Sequence, residues 1–312
     1  MLRVLVLGAA AGGGFPQWNS NSPASRRARD GDPVAPACSQ SSIAVSRDGR
    51  RWVVFNASPD IRQQINDNPP LHPAEGVRHT PIASVVLTNA DVDHVAGLLT
   101  LRESQAFSLY ATPRVLAVLA ENSIFNVLNP DFVERRPLAL DRPFEPLTRD
   151  GEPLGLTVEA FAVPGKVALY KEDAAAGADF GTVSEDTIGL RVAAADGDDG
   201  RALFYLPGCA ALPDDLKGRL QGAALLLFDG TLWRDDEMQA QGAGVKTGRR
   251  MGHLSMAGPD GSIAGLAEVA IARRVFIHIN NTNPVLLLDS PERAEVEAAG
   301  WEIARDGMEI EL

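Results

Sequence analysis

The stretch VVLTNADVDHVAGL, residues 85–98, constrains this chain more than any other. Its opening residues are apolar and β-branched, which reads as a buried strand. Polar side chains then fall at alternate positions, Asn89, Asp91 and Asp93, with His94 directly after. Side chains two apart on an extended segment point to the same side, so these groups aim at one place. Gly97-Leu98-Leu99 is expected to begin a helix. A strand end that gathers polar groups and turns into a helix is suited to holding a metal ion, and Asp93 and His94 are candidate ligands there.

A further candidate stands at another strand end. Val275-Phe276-Ile277-His278-Ile279 is an apolar run with a histidine in it, followed by the polar turn Asn280-Asn281-Thr282-Asn283-Pro284. Asp93, His94 and His278 give one carboxylate and two imidazoles, the composition of non-haem Fe(II) sites with open positions, which Zn(II) also tolerates. Asp91 has several readings: a distal ligand, an acceptor that steadies an imidazole, a proton shuttle, or a solvated turn residue. Cys209 reads either as a group facing the metal or, more simply, as a small buried thiol.

Around these motifs short β-rich runs alternate with helix-like stretches. Strands are predicted at 2–7, 43–45, 52–56, 84–88, 110–111, 156–162, 188–193, 202–206, 224–228, 275–279 and 309–312. Helices are predicted from Ser58-Pro59-Asp60, over 112–122, and at 213–219, 263–272 and 291–299. Residues 165–187 have weak periodicity and read as a surface insertion, and 194–200 as a loop tip. Each half runs strands, helix, strands, helix without strict βαβ repetition. That order suits an α/β fold of two mixed sheets packed face to face with helices outside, spanning residues 1–312 as one domain. The glycines of GAAAGGG after the first strand do not match a dinucleotide fingerprint.

Composition enters as an exclusion. A formal net charge of −12 makes the chain a poor partner for nucleic acid or anionic membranes. No run approaches the ~20 apolar residues that span a bilayer, and the glycine-broken start is not expected to be a signal peptide, so a cytoplasmic protein is expected. Two cysteines, Cys38 and Cys209, make neither a disulfide framework nor a CxxC pair. Within this acidic chain, residues 242–250 are locally basic. Arg249, with Lys246 or Arg250, is expected to orient an acidic substrate, the alternative being a solvated loop.

The 85–98 layout resembles the HxHxDH strand–turn–helix of the metallo-β-lactamase superfamily, which implies an αββα sandwich. Two metal histidines of that motif are replaced here by Asn89 and Asp91. The expected third histidine is missing from Val163-Pro164-Gly165-Lys166, and the bridging aspartate from Pro207-Gly208-Cys209. The resemblance therefore implies one surviving metal site rather than two, with Asp93, His94 and His278 as its ligands. Met251-Gly252-His253-Leu254-Ser255 resembles the His-Ser/Thr element of the ribonuclease Z branch, which implies an acid–base or substrate-contact role for His253. A helix-cap histidine is the other reading.

Longer stretches narrow the resemblance. LGAAAGGGFPQWN at 7–19, NASPDIR at 56–62, DGTLW at 229–233, MGH at 251–253 and HINNTNP at 278–284 are similar to a family of pyrroloquinoline quinone (PQQ) biosynthesis proteins. Many of its members carry Cys-x-Cys-x-x-Cys after Trp-Asn, a thiolate zinc site. Ser20, Ser22 and Ser25 stand there instead, so no structural zinc is expected, and the loop at 20–36 must be held otherwise or be mobile. The resemblance implies an Fe(II)- and O₂-dependent hydroxylation of the tyrosine ring in a small-molecule or dipeptide substrate derived from a Glu–Tyr cross-linked peptide. Other PQQ biosynthesis proteins are the implied partners. A single-metal zinc hydrolase and a non-catalytic carrier of PQQ or its precursor are the alternatives.

Overall fold

Period-two alternation along the strands decides the architecture. In strand β1 (Arg3–Gly8), Val4 and Val6 join one buried cluster while Leu5 and Leu7 join another on the opposite face. Strand β10 (Leu225–Asp229) divides the same way, with Leu225 and Leu227 on one side and Leu226 and Phe228 on the other. Strands buried on both faces need a layer on each side. The computed structural model, which describes residues 1–177, 180–197 and 201–312, provides those layers.

The remaining strands are β2 (Ser42–Ser46), β3 (Trp52–Phe55), β4 (Ile82–Val86), β5 (Phe107–Ala111), β6 (Val133–Pro137), β7 (Leu156–Ala162), β8 (Ile188–Ala194), β9 (Leu203–Leu206), β11 (Arg274–Ile277), β12 (Glu302–Ile303) and β13 (Met308–Glu311). Among the described residues they form a seven-stranded sheet, β13-β1-β2-β3-β4-β5-β6, and a six-stranded sheet, β12-β11-β10-β9-β8-β7. Both are mixed. Pairing is antiparallel from β13 through β3 and parallel from β3 through β6. In the second sheet β7–β8–β9 is antiparallel and β9 through β12 parallel. The facing sides share one core that includes Val6, Phe55, Val158, Leu190, Tyr205, Leu227 and Ile277. The outer faces are covered by helices, Pro113–Glu121 through Val115 and Leu119 on one and Asp214–Leu220 with Pro291–Ala298 on the other.

The expected layering therefore holds, with local corrections. The helix placed at Ser58 begins at Ile61, because Ser58 Oγ accepts from the Asp60 amide and donates to Gln64 instead of capping. Asp93 and His94 themselves lie in a one-turn α-helix, Val92–Val95, which passes into a 3₁₀ segment, Ala96–Arg102, so the helix expected from Gly97 starts earlier and tightens there. The helix expected over 263–272 shrinks to Ser262–Gly265. The stretch at 20–36 contains a helix, Pro23–Arg29, capped by Ser22 and tied down by Arg27 to Asp32 and Asp289. Ser25 Oγ donates to Ser20 Oγ at 2.9 Å and Ser22 Oγ to Ser25 Oγ at 3.1 Å, so the three serines bond to one another. Parts of two expected loops, residues 178–179 and 198–200, lie outside the described residues. Among those described, no helix is long and apolar enough to cross a membrane.

Candidate metal centre

In sheets with parallel strands, binding groups collect beyond the carboxyl ends of those strands. Here three such ends meet. β4 runs out toward Asn89, Asp91, Asp93 and His94, β11 ends one residue before His278, and β10 ends on Asp229. Asn56 braces the first of these ends. Its side chain exchanges bonds with Thr88, accepting from the backbone amide at 2.9 Å and donating to Oγ1 at 2.9 Å. Gly97 seats the turn: a Cβ there would collide with the carbonyl oxygens of Ser58 and Ala57, and the Gly97 amide donates to Ala57 at 2.9 Å. His278 sits in the left-handed region at φ 61°, an uncommon conformation for a residue with a Cβ and one that gathers at functional sites.

Asp93, His94 and His278 converge as expected, with ligand atoms all within 4.8 Å of one another. His278 Nε2 lies 3.1 Å from Asp93 Oδ2, and His94 Nε2 lies 4.0 Å from the same oxygen. His94 Nδ1 is 2.7 Å from Asn89 Oδ1. The Asn89 amide is oriented by its own contacts, since Nδ2 donates to Asp91 Oδ2 and Oδ1 accepts from the Asp91 amide. His94 must then carry its proton on Nδ1 and present the Nε2 lone pair to the cluster. That Nε2 is buried and has no hydrogen-bond partner among the described residues. A buried, unpaired imidazole nitrogen beside a carboxylate and a second imidazole fits a metal ion, which would satisfy it.

Charge agrees with this fit. Burial pushes His94 down to about 4, so its imidazole is neutral. Burial opposes ionisation of Asp93, but His94 and His278 outweigh it and hold the carboxyl below its usual range. For His278 burial again opposes the charge, and Asp93, then Asp229 and Asp91, raise its proton affinity. Asp91 is held above the ordinary carboxyl range by burial first and by Asp93 second. It bonds to Asn89 and stands outside the three-residue group.

Behind these three residues lies a hydrogen-bonded relay that sequence reasoning missed. Asp229, fully buried, accepts from Thr231 Oγ1 at 2.6 Å and from His253 Nδ1 at 2.7 Å. Thr231 Oγ1 also lies 2.8 Å from His278 Nδ1, which fixes that ring as a donor on the same side. His253 stacks on His278 with ring centroids 5.3 Å apart. Asp229, His253 and His278 thus form a second convergent group, but one whose Nδ1 positions are already bonded. The signal for Asp229 was a carboxylate closing the apolar strand at 224–228, the same signal that marked Asp93.

The other expected residues fall elsewhere. Cys209 is buried, its thiol donates to Ala211 O at 3.0 Å, and burial pushes it up to about 12. Its backbone amide, not its sulfur, serves the site by donating to Asp229 Oδ2 at 2.9 Å. Arg249 lines a surface cavity of about 520 Å³ beside Trp233, Asp235 and Glu295. Arg250 forks onto Glu172, and Lys246 stands half-buried in the surface loop between them and Gly242.

Comparison with known proteins agrees with the fold. The β-lactamase superfamily domain matches residues 51–279. Coenzyme PQQ synthesis protein B of Gluconacetobacter diazotrophicus is 55% identical over 312 residues, covering 99% of each chain. The protein of that name from Rhodopseudomonas palustris is 56% identical over 314 residues and covers 100% of both. The crystal structure of Zn²⁺-bound PqqB from Methylobacterium extorquens superposes with a TM-score of 0.93 at 54% identity, covering 99% of this chain and 100% of that one.

Proposed function

The chain belongs to the coenzyme PQQ synthesis protein B family of the β-lactamase superfamily, and from that premise we propose that it is a cytoplasmic, mononuclear Fe(II) hydroxylase acting on the tyrosine ring of a Glu–Tyr-derived precursor. The observation that carries this reading is the buried, unpartnered Nε2 of His94, aimed with Asp93 and His278 at one point. One carboxylate and two imidazoles would hold the ion and leave coordination positions open, and bound Fe(II) there supplies O₂ activation. Inserting one oxygen atom into a ring C–H bond and reducing the other to water also requires two electrons from an external donor.

The chain's own residues supply orientation and proton handling. Asn89 and Thr231 fix the Nδ1 protons of His94 and His278, leaving both Nε2 atoms as donors of a lone pair. Asp229 fixes the Nδ1 proton of His253, so His253 Nε2 is free to take a proton from the ring carbon or the phenol and return it. Arg249, with Lys246 or Arg250, is proposed to attract the carboxylates of the precursor. A zinc hydrolase is the second reading, favoured by the zinc in the similar structure from Methylobacterium extorquens.

The test is aerobic turnover of a Glu–Tyr dipeptide by the anaerobically purified, Fe(II)-loaded protein with an added two-electron reductant, with product mass and O₂ uptake followed. A gain of one oxygen atom by wild type, lost in His94→Ala, is expected. Oxygen gain that persists in His94→Ala overturns the ligand assignment. Absence of oxygen gain with Fe(II), together with Zn(II)-dependent cleavage, favours the hydrolase.

A further inference from the structure

Beside the candidate metal centre, two cations and one carboxylate form a closed cluster, of which the mechanism above uses only Arg250. Arg250 grips Glu172 with both arms of its guanidinium, Nη1 to Oε1 at 3.0 Å and Nη2 to Oε2 at 2.7 Å. Lys166 Nζ adds a third bond to Oε1 at 3.0 Å. The Glu172 side chain is only 11% exposed. Arg250 also lies over the Phe180 ring, 3.9 Å from its centroid. Such a fork is the preferred protein geometry for any carboxylate, whether it comes from the chain or from a ligand.

The two sides of this cluster are anchored unequally. Lys166 is fixed to the scaffold: Thr187 donates to its carbonyl, and its stem crosses Gly252, where a Cβ would crowd it at 2.9 Å. Arg250 lies in the turn Gly248–Met251, whose Thr247 cap accepts from the Arg250 amide. Glu172 instead comes from a surface segment between two 3₁₀ turns, Leu169–Lys171 and Ala174–Ala176, neither of which has a buried residue. Apart from Glu172, the side-chain ties of that segment to the body among the described residues are Tyr170, which donates to Ala90 at 2.6 Å, and an exposed pair, Lys171 with Glu121. Exposed pairs are worth little, so a segment that buries so little apolar surface opens at low cost.

One of the two cations also stands close to the reaction site. Lys166 lies against Gly252, the residue before His253, and its charge acts on Asp91. We propose that Lys166 and Arg250 form a carboxylate-binding site at the rim of the metal centre, which Glu172 fills until a carboxylate of an incoming small molecule takes its place. The pairing with Arg250 and Lys166 holds Glu172 at about 2, so it is ionised throughout the working range and competes as an anion. The choice of a Glu–Tyr probe rests on the substrate proposed above, whereas the site itself is defined by these three side chains.

The test is calorimetric binding to the full chain of two acidic probes, Glu–Tyr dipeptide and glutarate, with the N-acetylated, fully amidated dipeptide as a neutral control. Glu172→Gln removes the competing charge at constant shape. It is expected to bind an acidic probe roughly tenfold more tightly than wild type and the neutral control equally. Adding Arg250→Met to Glu172→Gln should cancel the gain. Hydrogen exchange at residues 169–177 of wild type should quicken when glutarate is added. Tightening with glutarate but not with the dipeptide keeps the carboxylate site and counts against the Glu–Tyr substrate. Failure of Glu172→Gln to tighten either acidic probe, in protein that melts as wild type does, overturns the placeholder role.

Discussion

At the scale of single residues, the centre depends on which nitrogen of each histidine is left free. Asn89 is the clearest case, because it stands where the superfamily pattern has a metal histidine. It has not simply lost a function: its carbonyl oxygen takes the His94 Nδ1 proton at 2.7 Å and so directs Nε2 inward. Removing such an outer partner typically costs about 10–100-fold in metal affinity. Asn89→Leu should therefore weaken Zn(II) or Fe(II) binding by about that factor in competition with a chromophoric chelator. Equal affinity in the variant would mean that burial alone orients His94. Asp93, His94 and His278 were legible in the sequence because each lies at or just past an apolar strand with polar neighbours. The relay of Asp229 with His253 was not, because its partners are 24 positions apart and meet only when the turns after β9 and β10 are folded.

At the scale of elements, the segments that follow β10 and β11 are tied together by one buried acid. Glu237, on the short helix Glu237–Ala240, accepts from the Trp233 amide at 2.7 Å and from Thr282 Oγ1 at 2.6 Å. Burial nonetheless raises its carboxyl to about 7. A carboxyl raised on folding favours the native state most when protonated. Its contribution is full below the unfolded value near 4.5 and is lost as pH rises through about 7. The loss is on the order of 3 kcal/mol. Glu237→Gln should therefore gain stability relative to wild type between pH 5 and pH 8, read as the difference in urea midpoints (~3 pH units apart). A difference independent of pH would show that Glu237 stays ionised in the fold. Element boundaries were less legible than the strands themselves. The helix Pro23–Arg29 has only serine, arginine, alanine and proline to announce it, without an apolar stripe. The apolar run after Ser262 looked like a long helix, but its residues Leu266, Val269 and Ile271 are buried through turns.

At the scale of the whole molecule, ligands from both sheets share one centre, so a bound ion should stabilise the entire fold. At about 1,000-fold excess over its dissociation constant, a ligand specific to the native state adds about 4 kcal/mol. Wild type should then melt at a higher temperature with Zn(II) or Fe(II) than with a chelator, and His278→Ala should lose most of the shift. A full shift in His278→Ala would place the stabilising ion elsewhere. The two-sheet layering was readable because alternation survives on strands buried on both faces, as Val4, Leu5, Val6 and Leu7 show. The pairing order was not readable, since β13 closes the first sheet beside β1 from the far end of the chain.

The division of ligands between the sheets has a mechanical side. Asp93 and His94 ride on the end of β4, and His278 rides on the end of β11, with the His94 and His278 rings 5.3 Å apart across the seam. The centre is therefore a caliper set across the joint between the layers. Any sliding of one layer on the other, whether from heat, a repacked core or a partner leaning on one face, is measured there as a change in the spacing of the two imidazoles. The spectrum of an ion held between them would register that movement before either layer had begun to unravel.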